Sequence, residues 1–172
     1  MEKTYKLFEQ DTRNGKLYPL FIGKKEETLI DVWVHAEHIP TKGFSVRSGW
    51  HCGFIPDAPW LKAFDGSYKS QRGKNFKRVW CECECNLEND YTAQAQAMPK
   101  KCFERVPDNG YYFFREVGNR IWVITSDIKI TRIITEEERQ KVLSDMGYDE
   151  GKAFEKYYNA MKKRLDKKRE GV

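Results

Sequence analysis

The sequence predicts an α+β protein: a bent, mostly antiparallel β-sheet followed by two C-terminal helices. Three observations predict it. Short runs rich in aromatic and β-branched residues recur from Thr4 to Ile134. Turn-forming pairs, Asn14-Gly15 and Gly118-Asn119, fall between such runs. From Thr135 the pattern changes to apolar residues at helical spacing. Residues 1–134 are expected to form a β-rich body that carries the candidate site. Residues 135–172 are expected to form a helical segment packed on that body and basic at its end, all within one domain.

Taken in order, Thr4–Glu9, Leu17–Ile22 and Leu29–Val34 read as strands, the first two joined as a hairpin around Asn14-Gly15. Asp57–Phe64 and Thr92–Met98 read as short helices. Asp65–Lys77 is polar, has no period and carries four positive charges, so it reads as a solvated loop. Arg78–Cys85, Tyr111–Glu116, Arg120–Thr125 and Ile128–Ile134 continue the strands. Thr135 and Glu138 fit a capping box, and three consecutive glutamates suit the positive end of the helix dipole. Gly147 is a natural stop. A second helix from about Asp149 aligns Phe154, Tyr157, Tyr158, Met161 and Leu165 along one stripe.

Composition narrows the function classes. Aromatic residues make up 14% of the 172, which argues for a packed body. No apolar run approaches the roughly 20 residues a membrane span needs, and the first residues lack the apolar core of a secretion signal. A cytoplasmic protein without membrane association is the expectation. Cys81, Cys83 and Cys85 alternate, so a strand would turn all three to one face as buried, unpaired thiols. The net charge of +5 resides in Lys152–Glu170, where eight basic residues meet three acidic ones; the remainder is neutral. That helix is the expected contact if the protein binds nucleic acid or an acidic partner.

The stretch His35–Trp60 holds all three histidines and three of the six prolines. If Phe44–Phe54 is extended, Arg47, Gly49, His51 and Gly53 point one way, and Val46, Trp50, Cys52 and Phe54 point to the core. A guanidinium and an imidazole separated by residues without side chains describe a notch for an anionic ligand such as a nucleotide, with Thr41 and Lys42 adding a hydroxyl and a charge. The plainer alternative gives Arg47 a surface ion pair, Gly49 a tight bend and His51 a backbone carbonyl. His35, His38, His51 and the cysteines lack the recognised zinc spacings, so no metal is expected. Ser45 and Ser48 lie near His51 without a nucleophile elbow. Glu82 and Glu84 share one face of their strand and are catalytic candidates beside His51.

Pro40-Thr41-Lys42-Gly43-Phe44, Arg47-Ser48-Gly49-Trp50-His51 and Ala58-Pro59 resemble a family of small, uncharacterised bacteriophage and mobile-element proteins. The likeness spans Lys3 to Ile134 and implies no particular chemistry. The order of elements is also similar to ADP-ribosyltransferase-like folds. That resemblance implies an enzyme using NAD, with Arg47 or His51 on an early strand and Glu82 or Glu84 as the catalytic carboxylate; otherwise no cofactor is expected.

Overall fold

The computed structural model describes residues 3–21, 25–37, 48–115 and 120–171. The run that opens the chain, β1 (Thr4–Asp11), lies mid-sheet because both of its faces are apolar: Phe8 is buried on one side, Tyr5 and Leu7 on the other. β5 (Phe76–Cys85) pairs with it along its length, from Thr4↔Cys83 to Asp11↔Phe76. The other strands are β2 (Leu17–Tyr18), β3 (Trp33–His35), β4 (Trp50–Gly53), β6 (Asn89–Asp90), β7 (Gly110–Arg115), β8 (Ile121–Thr125) and β9 (Asp127–Ile133). Among the described residues they form one sheet ordered β3-β9-β5-β1-β4-β8-β7-β6, with β2 added to β1. Among these strands only β6 and β7 pair in parallel, with isolated parallel bridges at Ile30↔Ile130 and Ser48↔Arg105.

This order forces the sheet to curl. β8 and β9 are four strand spacings apart, roughly 19 Å if flat. Yet only Ser126 separates them in sequence, and that link reaches about 7 Å at most. Curling brings Val123 of β8 against Ile128 and Ile130 of β9, closing a core with Phe8, Cys52 and Cys81, Cys83 and Cys85. The alternating cysteines thus share one buried face and carry no disulfide. Burial pushes the Cys81 thiol up to about 12.

On the opposite face Tyr5, Leu7 and Trp80 pack with Ala58 and Ile134, beside the 3₁₀ turn Pro59–Leu61 and helix α2 (Glu136–Asp145). A third cluster, Val106, Tyr112 and Ile124, packs under the short helix α1 (Thr92–Gln96). Helix α3 (Glu150–Arg169) follows. Thr135 caps α2 as expected: its hydroxyl accepts from the Glu138 amide at 3.1 Å, and the Glu138 carboxylate accepts from the Thr135 amide at 3.4 Å.

Several elements differ from expectation. Of the strand expected at Leu17–Ile22, Ile22 lies outside the described residues and the strand present is Leu17–Tyr18, because Pro19 has no amide hydrogen to continue a ladder. The strand expected at Leu29–Val34 is Trp33–His35, since Asp31 adopts φ +63° and leaves only an isolated bridge at Ile30. The helix expected at Asp57–Phe64 contracts to a 3₁₀ turn, and Thr92–Met98 to Thr92–Gln96. The Gly118-Asn119 turn lies outside the described residues. No helix among the described residues is long and apolar enough to cross a membrane.

Candidate ligand site

Of the residues expected to bind a ligand, Thr41, Lys42 and Arg47 lie outside the described residues, as does His38. His51 sits on β4 opposite Ile124 of β8. Its Nδ1–H donates to the Gly49 carbonyl at 3.0 Å. Gly49 has φ +149°, and a Cβ there would meet Ile124 at 2.8 Å and Val106 at 3.0 Å. At Gly53 the Trp122 ring stands 3.5 Å from the same hypothetical atom. The two glycines therefore make room for packing from β8 and the segment before β7, not for an open notch. On the other face Trp50, Cys52 and Phe54 belong to the core, as the alternation implies.

The histidine beside a cavity is His35. A cleft of about 90 Å³ is lined by Glu26, Glu27, Thr28, His35, Glu37 and Trp50, among others. That is room for about three waters at roughly 30 Å³ each, or for one ring-sized group. β3 pairs with β9, which places His35 opposite Asp127. The Trp50 indole N–H donates to the Val34 carbonyl at 3.0 Å and fixes the wall of the cleft.

The imidazole is oriented from behind. His35 Nδ1 lies 2.9 Å from the Asp127 carboxylate, which also accepts from the Ser126 hydroxyl at 2.6 Å and Asn86 at 3.3 Å. Burial opposes charge on Asp127, but hydrogen bonds from Ser126, His35 and Asn86 outweigh it and hold its pKa below the usual carboxylate range. An ionised Asp127 only accepts, so Nδ1 carries the proton in this contact. Nε2 lies 3.6 Å from Asp108, whose side chain is largely exposed. On the rim, a hydrogen bond with Glu26 and the charge of that neighbour push Glu37 above its usual range. A rim of carboxyls beside an oriented imidazole accepts hydrogen bonds from hydroxyl and amino groups.

Glu82 and Glu84 lie elsewhere. Glu82 is ion-paired with Arg132 at 3.4 Å and Lys3 at 3.8 Å and accepts from Thr131. Glu84 pairs with Lys129 across the ladder to β9. β1 stands between β4 and β5, so the backbones at His51 and Glu82 are two strand spacings apart, roughly 10 Å. Among the described residues no three His, Cys, Asp or Glu side chains converge as a metal site.

Sequence reasoning missed a second polar cluster. Asp57, fully buried, meets Lys62 Nζ at 2.8 Å and accepts from the Tyr68 and Tyr148 hydroxyls at 2.7 and 2.5 Å. Arg139 donates to the Pro56 carbonyl at 3.0 Å and to Glu136, and it pairs with Glu150. Arg120 donates to the Asp57 carbonyl and the Tyr148 hydroxyl. The side chains of Asp57 and Lys62 are 0% and 2% exposed, so a solute cannot reach them. The cluster fastens α2 and the start of α3 to the body. Its partners come from five separated segments, and no local spacing announces them. Comparison of the chain with protein-family models, with curated proteins and with solved structures finds no match.

Proposed function

We propose that the protein binds a nucleotide-type ligand at the cleft beside His35. The reading rests on one observation: an imidazole held by Asp127 lines a cavity whose walls, Val34–Glu37 and Gly49–Trp50, are the two chain ends of the stretch carrying Thr41, Lys42 and Arg47. In this reading the carboxyls of Glu26 and Glu37 and Nε2 of His35 take hydroxyl or amino groups of the nucleoside. The cations Lys42 and Arg47 take the phosphate, Arg47 by paired N–H donors. The cleft admits one ring-sized group, so the remainder of the ligand lies across its mouth. This moves the ligand-binding histidine from His51 to His35.

Thermal unfolding with a panel of nucleosides and nucleotides tests the proposal. A ligand at 100 times its dissociation constant adds about 2.7 kcal/mol of stability. The expected result is a rise in Tm with at least one nucleotide, lost in His35→Ala and reduced to the nucleoside level in Arg47→Ala. No response to any nucleotide, or a response unchanged in both variants, would overturn it.

A further inference from the structure

A second surface, remote in sequence from that cleft, carries its own chemistry. Phe64 is 81% exposed and touches Tyr158 of α3 edge to face, ring centroids 5.9 Å apart; Tyr158 is itself 39% exposed. Phe154, Tyr157 and Met161 line the shallow recess of about 100 Å³ beside them. α3 docks on the body only through this first half. No residue of the helix is buried, and every residue from Lys162 to Glu170 is exposed. A short helix segment in water is marginal without packing, so what this projecting half presents to solvent is its charge.

That charge is high and spread around the axis. At about 100° per residue, Lys162, Lys163, Arg164, Lys167, Lys168 and Arg169 fall in every quadrant, with Asp166 the only acid among them. An acidic amphipathic peptide would need one basic-edged apolar groove, and the stripe beyond Met161 offers Leu165 alone. A cationic rod beside exposed aromatic rings matches a different partner: a flexible polyanion whose planar groups stack.

We propose that Phe64 and Tyr158, with the distal half of α3, bind single-stranded nucleic acid. The rings provide a stacking platform for one or two bases, and the lysines and arginines beyond Met161 track the following phosphates. Stacking tolerates any base, so binding is sequence-independent. Only about half of the six cations can face the strand at once, so log K should fall with log salt with a slope of roughly −2.

Fluorescence anisotropy with labelled oligo(dT), a duplex of equal length and poly-glutamate, at 50 and 200 mM salt, tests this on the full chain. The expected result is salt-sensitive binding of oligo(dT) in preference to the duplex and to poly-glutamate. Phe64→Ala should weaken it about 5- to 150-fold, the range that loss of one stacked base implies. That variant removes an exposed ring, so an unchanged Tm confirms that the fold is intact. Reversal of Lys162, Lys163 and Arg164 to Glu should flatten the salt slope. Equal affinity for the duplex with no effect of Phe64→Ala, preference for poly-glutamate, or no binding at all would each overturn the proposal.

Discussion

A methyl group placed on Gly49 would lie 2.8 Å from Ile124 and 3.0 Å from Val106, at a backbone φ of +149° that side chains rarely adopt. Both terms oppose substitution: backbone strain costs about 1–3 kcal/mol and overpacking a similar amount. Gly49→Ala is therefore expected to destabilise the protein by roughly 2–6 kcal/mol, read from the midpoint of urea unfolding. A loss below about 0.5 kcal/mol would show that Ile124 and Val106 yield easily and that the notch is open after all. The sequence makes the glycines around His51 conspicuous, and the alternation correctly sends Trp50 and Cys52 inward. It does not show what fills the space, because Ile124 and Val106 arrive from distant segments through pairing of β4 with β8. His35 was legible as one of three histidines, but its partner Asp127 is supplied by the β3–β9 ladder, a long-range register no local pattern encodes.

The helices illustrate the same division between local and long-range information. α2 begins where Thr135 and Glu138 complete each other, a signal contained in four consecutive residues. What holds α2 and α3 to the sheet is the buried cluster on Asp57, assembled from the 3₁₀ segment, Tyr68, both helices and Arg120. Asp57→Ala removes the carboxylate that neutralises Lys62, leaving the buried ammonium with Glu150, at 3.2 Å, as its one ion partner among the described residues. Breaking a buried pair from one side costs about 3–5 kcal/mol. Asp57→Ala is expected to lower stability by that amount in urea unfolding, and hydrogen exchange should quicken first in α2 and α3. A change below 1 kcal/mol, or exchange quickening first in β7 and β8, would contradict the fastening role.

At the scale of the molecule, the curl of the sheet sets what each end can do. A one-residue link between β8 and β9 closes the core on the cysteine face and places β3, with His35, beside β9 and Trp50. The bent antiparallel sheet and the two terminal helices were legible from strand composition, turn residues and the helical stripe. The segregation of charge was legible too: the whole +5 belongs to the C-terminal segment. Its location on a helix exposed beyond Met161 was not, because the aromatic stripe predicts docking along the full length while the body ends earlier. The cleft beside His35 and the basic helix are thus separate surfaces. The most direct measurement of where the ligand sits is the histidine NMR spectrum during nucleotide titration, with resonances assigned through His→Gln variants. Progressive movement of the His35 imidazole signals while those of His51 stay fixed is the expected result; movement of His51 with His35 unchanged, or of neither, would contradict it.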